Sequence, residues 1–132
     1  RLLRVADYDA IEKKVRDRIA KQLLPAAKVE MNFERRRPPL EATAASRSLA
    51  KHAQQIYREL GKELVVDEMP EGGGTDAAFA ALSTKAPVIE RFGLQGYGGH
   101  SADAEYVLLD SIEPRLYLLA RMIMDLTQGN SP

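Results

Sequence analysis

The sequence predicts an α/β fold built from two unlike stretches, and three observations carry the prediction. After Pro38-Pro39, short apolar runs alternate with helical patterns, the order that gives a parallel sheet covered by helices. The residues before them, 1–36, read as strand, helix, strand and form an α+β unit. The paired prolines keep the chain extended and stiff where the two stretches meet.

Each element has its own reason. Arg1–Val5 reads as the tail of a strand. Asp9 with Glu12 has the spacing of a capping box, and Ile11, Val15, Ile19 and Leu23 then recur every four residues as one apolar helical stripe. Pro25, which lacks an N–H, stops that helix. From Ala27 to Glu34 the alternation is complete, with Ala27, Val29, Met31 and Phe33 on one face and Lys28, Glu30, Asn32 and Glu34 on the other. That is a half-buried strand with one wet face. A helix over 44–60 turns Leu49, Ala53, Ile56 and Leu60 inward. Val65-Val66, within 63–67, suits a strand buried on both faces. Gly72-Gly73-Gly74 breaks the chain before a helix start at Thr75-Asp76-Ala77-Ala78-Phe79. Pro87-Val88-Ile89 is a second short buried strand, and a loop with Gly93, Gly96, Gly98 and Gly99 follows, ending at His100. Ser111 caps the last helix, Pro114 is tolerated in its first turn, and Leu116, Leu119, Ile123 and Leu126 form its buried stripe.

Composition agrees with a packed domain and excludes several classes of function. The 132 residues are 45% hydrophobic and 29% charged, and a chain of this length buries roughly two thirds of its unfolded surface. Lys and Arg number 19, as do Asp and Glu, so the basic excess of a nucleic-acid binder is missing. No apolar run approaches the roughly 18 residues of a membrane helix. Neither a nucleic acid nor a membrane is therefore expected as a partner. With no Cys there is no disulfide, no thiol nucleophile and no Cys-ligated metal. The chain opens on Arg1-Leu2-Leu3-Arg4-Val5, without an initiator Met or a signal-peptide pattern, and is expected to be a piece of a longer protein.

Only a few residues can carry chemistry. Of the 2 histidines, His52 lies beside the apolar stripe of its helix and reads as a boundary histidine. His100 ends a glycine-rich loop after a buried strand, the place where ligands bind parallel α/β sheets. No Ser-His-Asp or Cys-His arrangement is legible, and His100 has no metal-binding partner near it in sequence. The turn Gly72-Gly73-Gly74-Thr75-Asp76 lets backbone N–H groups approach an anion at a helix start; it reads equally as a tight turn capped by Thr75 or Asp76. No Lys follows the glycines, so it is not a Walker loop. Arg35-Arg36-Arg37 admits three readings: a phosphate patch, an arginine clamp for a carboxylate, or a solvated charge run. Alternation aims Arg35 and Arg37 to the side of Phe33.

Taken together, these residues resemble the co-catalytic zinc peptidases that include glutamate carboxypeptidase, acetylornithine deacetylase and aminoacylase. The match runs through Gly72-Gly73-Gly74-Thr75-Asp76-Ala77-Ala78, Pro87-Val88-Ile89-Glu90, Gly96-Tyr97-Gly98-Gly99-His100-Ser101 and Ala104-Glu105-Tyr106-Val107. It closes with Arg115-Leu116-Tyr117 and Arg121-Met122-Ile123-Met124-Asp125-Leu126. Order and spacing are most similar to bacterial glutamate carboxypeptidase. The resemblance covers most of 35–126 and reaches weakly back to Arg1.

The resemblance implies a two-domain metallopeptidase. Residues 1–37 would be the C-terminal part of a ferredoxin-like α+β lid and dimerisation domain, and 38–132 the C-terminal part of a parallel-sheet, zinc-dependent catalytic domain. It implies hydrolysis of the amide bond to a C-terminal amino acid, glutamate above others, in small peptide or N-acyl substrates. Two zinc ions sharing a bridging Asp, and a water activated by a Glu, carry such a reaction. By the same resemblance His100 is the last zinc ligand with Glu105 supporting it. Arg37 grips the free carboxylate, and Gly73, Gly74 and Thr75 line that pocket. Arg37 is favoured over Arg35 and Arg36 because it directly precedes Pro38, although three arginines in a row depart from the family's sparser pattern. A homodimer is implied as well. The remaining zinc ligands, the bridging Asp and the general base have no match in this chain and are expected upstream of Arg1. No catalytic residue is therefore expected within it, and the piece alone is expected to be inert, since a catalytic zinc takes three protein ligands as a rule. The competing expectation is a non-catalytic binding or dimerisation module that pairs through the edge of 1–36.

Overall fold

The computed structural model of the chain describes residues 2–67 and 74–129. In chain order its elements are α1 (Asp7–Ile19), α2 (Ala44–Glu59), α3 (Asp76–Ser83), β1 (Gly96–Tyr97), β2 (Tyr106–Val107) and α4 (Ile112–Thr127). They fall into two compact units, Arg1–Glu41 with Met69–Lys85, and Ala42–Glu68 with Ala86–Pro132. Helices with a small sheet are compatible with the α/β class.

In the first unit α1 begins at Asp7, so Asp9 lies inside its first turn instead of capping it; Ala6 is the N-cap and no side chain caps it. Asp7 and Asp9 face the positive end of the helix dipole, and Arg16 and Arg18 the negative end. Glu12–Arg16 and Lys13–Asp17 add i,i+4 ion pairs at 2.8 and 2.7 Å. None of the helix's residues is buried. It stops at Ile19, and Leu23 is 92% exposed rather than the last member of a stripe. The segment 27–34 has no assigned secondary structure and joins no ladder among the described residues; Met31 and Phe33 are half-buried, as alternation asks, while Ala27 and Val29 are exposed. Pro38 and Pro39 are buried. Thr75 is the extended N-cap of α3, as its sequence suggests, and Ala78 is fully buried.

The second unit holds the larger core. A capping box starts α2: Ser46 N donates to Thr43 Oγ1 at 3.0 Å, and Thr43 N donates to Ser46 Oγ at 2.8 Å. Leu49, Ala53, Ile56 and Tyr57 of α2 cluster with Leu118 and Met122 of α4 and with Leu64. Leu60, expected inward, is 37% exposed, and Tyr57 takes its place. On α4 the buried face is Pro114, Leu118, Met122 and Asp125. The expected stripe, Leu116, Leu119, Ile123 and Leu126, is between 45% and 60% exposed. Apolar residues occupy both sides of α4, and periodicity finds a stripe without saying which side meets a partner. Small Ala53, 1% exposed, lets α2 and α4 approach there.

The short buried strands expected after Pro39 are segments without assigned secondary structure and without ladder partners among the described residues. Leu64 is buried and Val66 packs on the core, but Val65 is 85% exposed. Ile89 and Phe92 pack on the same core. The described sheet is the antiparallel pair β1–β2, with Gly96 opposite Val107 and Tyr97 opposite Tyr106. An apolar run states which faces want burial; it cannot supply the neighbouring strand. Ser111 stands at the N-cap of α4 but spends its hydroxyl on the preceding chain, accepting from Gln95 N at 3.0 Å and donating to Leu108 O at 2.6 Å.

Candidate functional site

Within the first unit the three arginines take different partners. Arg35 pairs with Asp9 and, at 3.3 Å, with Glu12 Oε2, and its guanidinium lies 5.4 Å from the centroid of the Tyr8 ring. Phe33 meets the same ring edge-on, 6.4 Å between centroids. Phe33 and Arg35 thus share a side, as the alternation predicts, and that side is α1. The hydrogen bond to Asp9 raises the Arg35 pKa, with Glu12 adding to it. Glu12 is held below its ordinary value by hydrogen bonds from Arg16 and Arg35. Arg36 pairs with Glu34. Arg37 makes no carboxylate contact among the described residues; its Nη1 donates to Gly74 O at 3.4 Å, a bond across 37 positions.

The structure therefore brings together two of the residues assigned to carboxylate binding. A Cβ on Gly74 would stand 2.6 Å from Arg37 Cβ, so glycine there is what lets the arginine stem pass. Thr75 follows as the N-cap of α3, whose first N–H groups suit an anion. Gly73, also expected in this pocket, lies outside the described residues. Tyr8, which sequence reasoning passed over, donates its hydroxyl to Arg37 O at 3.0 Å. An aromatic residue in the first turn of α1 beside an alternating segment was the available signal.

In the second unit His100 sits on the loop joining β1 to β2. Ser101 N donates to Gly98 O at 2.9 Å, closing a tight turn in which Gly98 and His100 both have positive φ, 68° and 71°. Gly98 has no alternative there, because a Cβ would lie 2.1 Å from Ala104 O. His100 holds the left-handed conformation at a cost on the order of 1 kcal/mol, the kind of outlier that gathers at functional positions. Its side chain is exposed, as is that of Glu105 on the residue before β2. The loop is stapled at its base by Leu108 N on Gln95 O at 2.8 Å and by the Tyr97 and Tyr106 rings, 5.5 Å apart.

The structure also joins polar residues of α2 and α4 that the sequence left separate. The His52 Nε2–H donates to the Asp125 carboxylate at 2.9 Å, across 73 positions. Arg121 bridges Asp125 and Glu59 at 3.2 and 3.1 Å, and the Tyr117 hydroxyl donates to Glu59 at 2.7 Å. Tyr117, then Arg121, hold the Glu59 carboxyl below its ordinary value, and the same bond raises the Tyr117 phenol. His52 thus acts as an interhelix link, in keeping with its boundary position.

Among the described residues no three His, Cys, Asp or Glu side chains gather into a metal-binding group. An exposed imidazole such as His100 is a sound zinc donor, but a catalytic zinc takes three protein ligands. His100 stands in no such group among the described residues.

The sequence profile described as Peptidase family M20/M25/M40 matches residues 5–125. Carboxypeptidase G2 of Pseudomonas sp. (strain RS-16) is similar to this chain, with 46% identity over 129 residues. That alignment covers 98% of this chain and 31% of the relative, so the chain spans about a third of the length of the curated relative it matches.

Proposed function

The chain belongs to Peptidase family M20/M25/M40, and from that premise we propose that it serves a zinc-dependent carboxypeptidase. The reaction is hydrolysis of the amide bond to a C-terminal amino acid, glutamate above others, in small peptide or N-acyl substrates. The observation that carries this reading is the approach of Arg37 to Gly74 across 37 positions of sequence. Among the described residues the Arg37 side chain has one long bond, to a carbonyl, and an arginine fork suits a substrate carboxylate in bidentate geometry. Gly74 and Thr75 present the start of α3 to the same anion.

His100 is the zinc ligand of this chain, and Glu105 supports its loop. When bound, zinc polarises the scissile carbonyl and lowers the pKa of a water. Residues 1–37 form part of a lid and dimerisation domain, and 38–132 part of a parallel-sheet catalytic domain. The exposed Leu116, Leu119, Ile123 and Leu126 face of α4 suits the cover of such a sheet. A homodimer through 27–34 is supported by the alternating pattern of that segment and by its lack of a ladder partner among the described residues.

In the full-length protein, His100→Ala removes zinc and abolishes hydrolysis, while Arg37→Ala retains zinc and loses selectivity for a free α-carboxylate. Metal analysis and steady-state kinetics read both. Unchanged turnover in His100→Ala overturns the zinc assignment, and retained selectivity in Arg37→Ala takes that residue out of the site. The 132-residue chain alone, given zinc, hydrolyses no such substrate.

A further inference from the structure

The three arginines differ in how firmly they are held, and the difference converges on Tyr8. Arg35 is fixed by Asp9 and Glu12, and Arg36 by Glu34. The Arg37 side chain has the 3.4 Å bond to Gly74 O. Its backbone, by contrast, is gripped: the Tyr8 hydroxyl donates to Arg37 O at 3.0 Å. Tyr8 is itself held on two sides, with Phe33 at its edge, 6.4 Å away, and the Arg35 guanidinium over its ring at 5.4 Å. One turn earlier, Val5 N donates to Glu41 Oε1 at 2.9 Å, so the start of α1 clasps the segment 33–41 on both sides of Arg37.

We propose that Tyr8 is the positioning residue of Arg37: its hydroxyl fixes the carbonyl of that residue and so sets the direction in which the guanidinium meets a substrate carboxylate. Arg35 acts through Tyr8, keeping the ring in place. The inference rests on the carboxylate-binding role of Arg37 given above. Arg35, which looks from sequence like an equal candidate for the substrate, becomes a structural cation on this reading, and the run of arginines resolves into one clasp, one solvated pair and one ligand-binding group.

Tyr8→Phe removes the hydroxyl and keeps the ring, so the packing against Phe33 and Arg35 survives. The test compares an N-acyl glutamate with its α-carboxamide counterpart as substrates of the full-length protein, and free glutamate with its α-amide as inhibitors. Loss of one positioning hydrogen bond lowers kcat/KM for the acid about five-fold. The loss appears chiefly in KM and weakens inhibition by glutamate to the same degree. The carboxamide and the amide, which do not use the arginine fork, are unaffected. Asp17→Asn, on the exposed side of the same helix, changes none of these. An equal loss for acid and amide makes Tyr8 a general structural residue and overturns the proposal, as does an unaltered acid preference in Tyr8→Phe when Arg37→Ala has lost it. A wild-type protein without preference for the acid overturns the carboxylate reading of Arg37, and this inference with it.

Discussion

The two units stabilise their helices by opposite means. In the first, α1 buries no residue and is tied to the segment bearing Arg37 by ion pairs, a phenol hydrogen bond and a cation over a ring. In the second, α2 and α4 close over Ile56 and Leu118, at 1% and 0% exposure, and the loop of His100 is stapled to the start of α4 through Gln95 and Ser111. Charge screening leaves apolar burial in place, whereas exposed charge pairs weaken both with added salt and with protonation of their carboxylates. Arg37 is therefore carried by adjustable contacts, and His100 by the foot of a packed core.

The largest expected effect comes from the core. Leu118→Ala leaves a cavity against Ile56 and Met122 and costs about 3 kcal/mol of stability, within the range for large-to-small core changes. Leu119→Ala, one residue on and 45% exposed, costs under about 1 kcal/mol. Urea unfolding of the two variants measures both. Equal costs would mean that both sides of α4 are packed in solution, and the contrast between the units would then need redrawing around a larger buried surface.

Next in size is the polar link inside that core. Asp125 is 5% exposed and accepts from both His52 and Arg121. Asp125→Ala leaves a half-buried imidazole and guanidinium without their carboxylate and costs about 2 kcal/mol. Asp17→Ala, which removes an exposed i,i+4 pair on α1, costs only about 0.3 kcal/mol. The same charge type thus counts several-fold more beside the core. A cost for Asp125→Ala as small as that for Asp17→Ala would show that solvent reaches the α2–α4 contact.

What was legible in the sequence follows the range of the signal. α2 was found within one residue because its stripe and its length are both local. The start of α3 and the turn around His100 were found for the same reason, since Gly98 and Gly74 each answer a steric demand of nearby atoms or of one contact. The buried side of α4 was read wrongly: Leu116, Leu119, Ile123 and Leu126 make the stronger stripe, but the partner α2 lies against Leu118 and Met122. The strands at 27–34, 63–67 and 87–89 were patterns without neighbours. Arg37 was set apart from Arg35 and Arg36 by its place before Pro38, and the structure gives the three arginines different partners. Tyr8 and the His52–Asp125 link were invisible because each depends on a residue tens of positions away.

The smallest effect sharpens the comparison most directly. Glu12, on α1, is held below its ordinary value of 4.5 by hydrogen bonds from Arg16 and Arg35. A carboxyl depressed in the folded state contributes stability that is full above 4.5 and fades as pH falls through the lowered value. Glu59, depressed by Tyr117 and Arg121, follows the same sign in the second unit. There, however, the core of α2 and α4 remains when the carboxyl is protonated, while α1 has no buried residue to fall back on. Hydrogen exchange resolved by segment reads the outcome. Acidification below 4.5 loosens α1 and the 33–41 segment first, and raising salt to about 1 M, where the Debye length shrinks to about 3 Å, does so at neutral pH. The amides of α2 keep their protection in both cases. Loss of protection in α2 together with α1 would show that the two units share one cooperative structure, and that the charge contacts around Arg35 stabilise more than the segment they touch.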